Sequence, residues 1–562
     1  GFVLTQDKLT RLVPVEKASM KDRSIIQWDK DDLEDMGLMK VDVLALGILT
    51  AIRRCLDFRN QLRGAEGQSA WDLADIPKED PATYEMICKA DTVGVFQIES
   101  RAQMSMLPRL QPRVFYDLVV EVAIVRPGPI QGGMVHPFLK ARERIRAGLD
   151  VHYEKPELKK ALSRTLGVPI FQEQVMQIAM IAAGFTAEKA DALRRSMAAW
   201  KRKGGVEKFY EPIIEGMLKN GYRREFAEAI FKQILGFGEY GFPESHAYSF
   251  ALLAYSSSWL KCHEPACFLA AMLNSQPMGF YSPSQLVQDG KRHGIVVLPP
   301  DVSHSDWDST LEKLGSDSNY SPAVRLGLRQ VGSLSEAGGR RVVQARSEAP
   351  FTSTEDLALR AQLDAGDLKA LAAGDALMSL SGHRRQQVWD ASALRRSPEL
   401  LRDAPINEEP LELQASAEGE EIVFDYASLG LTLRRHPLAL LRPRLKRMKL
   451  QSAAELHDLP SGRKVRTCGI VTVRQQPQTA HGTIFLTLED ETGPVNVIVW
   501  KSVREGQRDA LLKSRLLAVE GTWQRDQESG GQVRNLIARK LTNLTPLLGR
   551  LGEQTNSSRD FH

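Results

Sequence analysis

The chain has 562 residues, 43% of them apolar, with a formal net charge of +4 and five cysteines. That length suits about three to five domains and excludes little, but no run reaches the ~20 apolar residues of a membrane span and no signal peptide opens the chain. Cys55, Cys88, Cys262, Cys267 and Cys468 are too scattered for a disulfide framework, so the compartment reads as reducing and cytoplasmic.

Residues 1–47 read as mixed strand and loop. Within them, "GLMKVDVLALGILTAIRRCLD" (Gly37–Asp57) predicts a short buried strand at Val41, Val43 and Leu44, then a helix from Leu46 to Leu56. Alternation sends Lys40 and Asp42 to one face of that strand. A lone K-x-D most simply closes a strand as an ion pair. The sharper alternative has Asp42 holding a metal while Lys40 faces a phosphate.

From Thr50 to about Cys267 the pattern is mainly helical. "VRPGPIQGGMVHPF" fixes Arg126 before a stiff turn, since the prolines set φ. Gly132 and Gly133 leave backbone N–H groups open to close approach. Such a loop suits phosphate, or simply turns the chain between helices. "ADALRRSMAAWKRKGG" (Ala190–Gly205) carries Arg194, Arg195, Lys201, Arg202 and Lys203 against Asp191 alone. On a helix, 194 and 201 share a face, and 195 and 202 do so one step round. That double row suits a ligand with several phosphates, or is a solvated charged face. "GFGEYGFPESHAYSFALLAYSSSWL" places Tyr240, Phe242 and His246 before a helix that Ser245 is expected to cap. An aromatic there stacks on a base or sugar, or fills a core. "KCHEPACF" brings Cys262, His263 and Cys267 close together, but without a second ligand cluster no zinc site is read there.

Residues 294–321 read as a loop-rich stretch and 325–395 as short helices with Gly turns. "LRQVGSLSEAGGRRVVQAR" (Leu328–Arg346), with Arg340 and Arg341, resembles a helix-hairpin-helix, a turn whose backbone amides hold a DNA phosphate. "SGHRRQQVW" follows as another basic helix start. Residues 396–425, with "NEEPLELQASAEGEE", read as a solvated linker. From Lys464 to about Leu544 the period becomes two, with about five strands and Gly and acidic turns, most economically an OB-fold. Arg474, Arg525 and Arg534 flank strands that carry Phe485, Trp500 and Trp523, an interleaving that suits single-stranded nucleic acid. The tail "GEQTNSSRDFH" is polar and expected to be loose.

Six stretches together resemble the bacterial C-family DNA polymerases, the family of the DNA polymerase III alpha subunit. They are "GLMKVDVLALGILT", "TVGVFQIESRAQM", "AIVRPGPIQGGMVHPF", "PIFQEQVMQIA", "ADALRRSM" and "EYGFPESHAYSFALLAYSSSWLK". "YSPSQLVQDGKRHGIVVLPPDVSHSDWD", "SLGLTLRRHPLALLR" and the "SRDFH" ending resemble the error-prone, ImuC-type branch. The resemblance implies a multidomain α+β chain. Its parts are the end of a palm (1–47), mainly α-helical fingers (48–295), a helix-hairpin-helix region (296–395), a linker (396–450), an OB-fold β-barrel (451–548) and a tail (549–562).

It implies a DNA-directed DNA polymerase of translesion synthesis, with Asp42 as a catalytic, Mg²⁺-binding carboxylate in a two-ion site. Lys40, Arg101, Arg126, Arg194, Arg195, Tyr240 and His246 are then expected at the incoming dNTP. Lys201, Arg202, Lys203, Arg340, Arg341, Arg474, Arg525 and Arg534 are expected at the primer-template DNA. The family's other two carboxylates form an upstream D-x-D pair. Asp29-Lys30-Asp31 and Asp306-Trp307-Asp308 have its spacing but not its context. The chain, which begins at Gly1 without Met, is therefore expected to be a C-terminal fragment, inactive alone. An ImuB-like protein and a RecA-related accessory factor are the implied partners. No Q-x-x-L-F-like peptide precedes the barrel, so sliding-clamp contact is expected to be indirect, in a cytoplasmic, nucleoid-associated enzyme. The alternatives are a replicative alpha subunit and a non-catalytic nucleic-acid-binding protein.

Overall fold

The computed structural model describes residues 2–18, 23–28, 30–41, 44–126, 129–130, 133–198, 206–237, 243–313, 322–393, 411–477, 480, 482–552 and 559–561. Short ribbons come first: Phe2–Leu4 pairs antiparallel with Met39–Val41, and Val15–Lys17 with Ser24–Ile26. The sequence predicts a buried strand at Val41, but Met39 is 65% and Val41 36% exposed. A two-stranded ribbon is one hydrogen-bonded neighbour wide, and here it leaves its apolar side chains in solvent.

A helical body runs from Leu46–Ala65 to Pro283–Arg292. At its centre are two helices buried on every side. Phe115–Ile124 is buried from Asp117 onward, and Pro265–Asn274 from Ala266 onward. A helix apolar all round belongs inside a bundle, and these two carry the rest. Leu46–Ala65 packs on Pro265–Asn274, and Glu244–His263 packs on Phe115–Ile124. Tyr210–Lys219 crosses Gln172–Ala183 at Gly216, where an added Cβ would stand 2.2 Å from the Ala183 carbonyl oxygen.

The stretch expected to be loop contains a three-stranded sheet. Val297–Leu298 lies parallel to Ala323–Arg325, which pairs antiparallel with Thr310–Glu312. Short helices follow at Glu336–Glu348, Thr354–Arg360, Ala365–Ala373 and Arg384–Ala393, around Leu328, Val342, Leu357 and Leu371. Ser335, Ser353 and Asp364 cap the first three through their side chains.

The acidic linker is corrected by the structure from residue 418 onward. Glu418–Ser428 is a helix, and Pro437–Arg447 another. Glu421 and Asp425 are buried there against Arg384 and Arg434, with Arg384–Glu421 at 2.8 Å and Arg434–Asp425 at 3.0 Å. Composition reads as solvated when the partners of its carboxylates lie elsewhere in the chain.

The barrel follows the predicted strands closely: Lys464–Gln475, Ile484–Asp490, Gly493–Val499, Leu516–Arg525 and Arg534–Asn543. The first three pair as antiparallel neighbours, Leu516–Arg525 pairs with both Lys464–Gln475 and Arg534–Asn543, and a parallel pairing of Gly493–Val499 with Arg534–Asn543 closes the ring. Leu486, Leu488, Val497, Val519, Trp523 and Leu536 fill it. The tail is not wholly loose: Arg559–Phe561 pairs in parallel with Val473–Gln475. Among the described residues, no helix is long and apolar enough to cross a membrane.

Candidate nucleotide and nucleic-acid sites

The helix Glu244–His263 starts after Pro243, and no side chain of that residue caps it; Ser245, expected as the cap, lies inside the first turn. The capping acid comes instead from Gln172–Ala183, where Glu173 Oε2 accepts from the Glu244 backbone N–H at 3.1 Å. The Glu244 carboxylate accepts from Tyr116 Oη and Arg164 Nη1, each at 2.8 Å, and the Arg164 guanidinium lies 3.9 Å from the Tyr116 ring centroid. Burial, and then Glu244, hold the Tyr116 phenol above its usual range.

The His246 ring stands 4.2 Å from that of Phe250, and burial and the Arg126 charge lower its pKa, so it is neutral at pH 7. Arg126 Nε donates to the Val122 carbonyl at 3.0 Å. Two of the expected residues, Arg126 and His246, are thus brought together at the positive end of a long helix, with Arg164 beside it. The same end also holds the Glu173 and Glu244 carboxylates, which already answer the helix terminus and Arg164. Tyr240 lies outside the described residues. Sequence reading missed Arg164 and Tyr116, which sit in no pattern that singles them out.

Arg194 and Arg195 share one carboxylate. Arg194 Nη2 lies 2.8 Å and Arg195 Nη2 3.0 Å from Asp191. Two cations on one acid leave a net positive, solvent-facing row. Lys201, Arg202 and Lys203, which would continue it, lie outside the described residues, as does Asp42. Lys40 sits on the exposed ribbon, opposite Val3.

Arg101, expected at the nucleotide, lies half-buried against the barrel in this structure. Its guanidinium donates to the Leu486 carbonyl at 2.9 Å, the Val497 carbonyl at 3.3 Å and Asn535 Oδ1 at 3.3 Å, and lies 5.0 Å from the Phe485 ring centroid. Its helix, Arg101–Leu110, lies against the barrel, and Arg109 pairs with Asp526 at 3.0 Å.

Among the described residues, Asp91, Asp289 and His293 form the one cluster with metal-ligand geometry. Its cation is already present: Lys261 Nζ lies 2.9 Å from Asp289 and 3.2 Å from Asp91, and His293 Nε2 lies 2.6 Å from Asp91. Burial opposes the Asp91 charge, but His293 and Lys261 hold its pKa down at about 2. Beside the Cys262 to Cys267 stretch, His263 pairs with Asp80 at 2.8 Å.

In the hairpin domain, Arg340 pairs with Glu336 at 2.8 Å, and Arg341 donates to the Ala361 carbonyl at 2.8 Å and the Gln362 carbonyl at 3.2 Å. The glycine pair serves packing: a Cβ on Gly338 would meet the Asp367 carboxylate at 2.2 Å, and one on Gly339 the Trp307 ring at 2.5 Å. In the barrel, Arg474, expected at the DNA, turns to the backbone. It donates to the Leu511 carbonyl at 3.0 Å and to the Ser514 carbonyl, and so braces the strand end. Arg525 and Arg534 do stand together, directly opposite across two strands. Trp523 is core at 4% exposure and Trp500 is 51% exposed. A basic hollow went unread: Lys446, Lys449, Lys464 and Arg466 line about 380 Å³ beside Glu455. Its signal was the run "RPRLKRMK" (Arg442–Lys449).

Family models match in succession along this architecture. The bacterial DNA polymerase III alpha NTPase domain matches residues 1–45, and the alpha subunit finger domain residues 48–221. These two stretches are similar to domains of the bacterial DNA polymerase III alpha subunit. Behind the fingers, a helix-hairpin-helix motif matches residues 294–387 and an OB-fold nucleic acid binding domain residues 465–544. The whole chain is 58% identical, over 565 residues, to a protein named error-prone DNA polymerase in Bordetella bronchiseptica. It is 58% identical over 572 residues to one in Ralstonia nicotianae, and 53% over 580 to one in Methylococcus capsulatus. The chain spans about half the length of these curated relatives, 52%, 53% and 54% respectively.

Proposed function

We propose that the protein to which these residues belong is an error-prone DNA polymerase, adding dNTPs to a primer on damaged templates. The observation that carries this reading is identity above half, along the entire chain, with relatives of that name. The geometry supports it. Arg126 and the neutral His246, at the start of Glu244–His263 with Arg164 alongside, would bind and orient the triphosphate. Arg194 and Arg195 would add the net charge that Asp191 leaves over, and Tyr240 would stack on the base or sugar. Lys201, Arg202, Lys203, Arg340, Arg525 and Arg534 would follow the DNA backbone, whose recognition is mainly a matter of neutralised phosphates.

Asp42 would be one of the oxygen ligands of the metal site, and Lys40 would neutralise phosphate without competing for the ion. Divalent ions, taken here to be two Mg²⁺, supply activation of the primer 3′-OH and stabilisation of the leaving pyrophosphate. An ImuB-like protein, a RecA-related accessory factor and an indirect clamp contact complete the proposal, in the bacterial cytoplasm.

The test is incorporation of dNTPs by the full-length protein on a primer-template carrying an abasic lesion. Extension past the lesion is expected. Arg195→Ala should raise the KM for dNTP about tenfold, equivalent to ~1.4 kcal/mol, with a smaller effect on DNA affinity. No incorporation on any template by folded full-length protein would remove the reading.

A further inference from the structure

Between the Arg101–Leu110 helix and the barrel lies a cavity of about 330 Å³, within the size range of small-ligand sites. Ser105 lines it from the helix side, Tyr281 from the segment before Pro283–Arg292, and Thr487, Asn496, Trp523 and Arg534 from the barrel.

Among the described residues, two donors in this lining have no acceptor. Trp523 Nε1 and Arg534 Nε are both shielded from solvent and make no hydrogen bond, and Trp523 as a whole is only 4% exposed. Each of these groups can only donate, and a buried orphan donor carries an unrecovered desolvation cost. The cavity is therefore suited to a ligand that brings acceptors. Arg525 stands directly across the strand pair from Arg534. Burial and this like charge depress the Arg534 pKa, which an anion would relieve. Asn496 and Thr487 add groups that both donate and accept. Glu99, just before the Arg101–Leu110 helix, and Glu489 on the barrel also line the cavity; burial holds the Glu489 carboxyl above its usual range, so it opposes an anion less than an ordinary carboxylate.

We propose that this cavity receives one nucleotide of a single DNA strand, with the base inside and its phosphate at Arg525 and Arg534. A nucleotide joins a planar, acceptor-bearing ring to an anion through a single sugar, so one ligand brings acceptors to the buried donors and a phosphate to the paired arginines. Pockets that take an unstacked base read it by edge hydrogen bonds between apolar walls. The inference rests on the reading of the protein as one that handles primer-template DNA.

The test compares two labelled strands on the full-length protein: a ten-residue oligothymidylate and a strand of equal length whose sugars carry no base. Their phosphates are the same, so charge alone cannot separate them. The thymidylate is expected to bind about tenfold more tightly, in keeping with one stacked base. Ser105→Trp fills the cavity from the helix, where the hydroxyl bonds only to the Ala102 carbonyl at 2.8 Å. It should cut the preference to under twofold with little change in melting temperature. Asn496→Trp does the same from the barrel wall and serves if the first variant does not fold. Equal binding of the two strands, or a preference that survives both substitutions, overturns the cavity proposal and leaves the polymerase reading in place. Failure to bind either strand and primer-template, in folded protein, overturns both.

Discussion

At the junction behind the hairpin domain, Arg384 is 3% exposed and lies 2.8 Å from Glu421, with Asp425 and Asp375 beside it and Arg434 sharing all three acids. At the junction between fingers and barrel, Arg101 is half-buried against carbonyl and amide oxygens, and no ion pair holds it among the described residues. Both arginines join distant parts of the chain. The first sits in a network of two cations and three anions, whose attraction offsets the cost of desolvation. The second has only dipoles and a ring face, and burial pushes its pKa down to about 9. It is still charged at pH 7. A network of paired charges makes a strong joint. A lone guanidinium makes a joint held mainly by shape.

The largest expected effect is at the ion-paired joint. Arg384→Met leaves three buried carboxylates to Arg434 alone, and breaking such a network costs ~3–5 kcal/mol. Chemical denaturation of the full-length protein, followed on the transition that includes the hairpin domain, measures it. A loss below about 1 kcal/mol would mean that the joint is not held by charge.

Glu121 sharpens the contrast, because it is also buried without a partner yet can discharge itself. It is 0% exposed, neither carboxyl oxygen has a hydrogen bond, and burial pushes its pKa well above the usual range. The unfolded chain releases this proton near pH ~4.3, whereas the folded chain keeps it. Stability from this group is therefore full below that pH and falls as pH rises toward the folded pKa. Glu121→Gln removes the loss. It should stabilise by on the order of 1–3 kcal/mol at pH 7 and by almost nothing at pH 4, read from melting at the two pH values. A destabilised variant at pH 7 would show that the charged form has a partner.

The smallest effect is at Arg101 itself. Arg101→Gln keeps a donor toward the barrel and removes the uncompensated charge. Stability should change by less than ~1 kcal/mol, and the KM for dNTP by less than about twofold. A large rise in KM would return Arg101 to the nucleotide, where the family resemblance had put it, and would mean that its place in the barrel is not the working one.

Much of this architecture was legible because it is written in local periods. Alternation over Lys464–Gln475 and Ile484–Val499 announced the barrel, and the pattern from Thr50 to about Cys267 announced a mainly helical region. What was not legible depends on partners far along the chain. Arg101 meets Leu486 across 385 residues, and the carboxylates of "EGEE" look solvated until Arg384 is placed beside them. The strand at Met39–Val41 read as buried because its residues are apolar, while burial depends on what lies over it. At the candidate nucleotide site, Arg126 and His246 were visible in proline- and glycine-rich loops. Arg164 and Tyr116 were not, since neither stands in a marked pattern. The role given to Asp42 came from resemblance, not from spacing.

Asp42 is accordingly the place to test the account most directly. In the full-length protein, Asp42→Asn keeps the shape of the side chain and removes the charge that a divalent ion requires. Primer extension and duplex affinity should be measured on the same preparation. The account predicts that extension falls by orders of magnitude while affinity for primer-template stays within about twofold. Near-normal extension by the variant would contradict it.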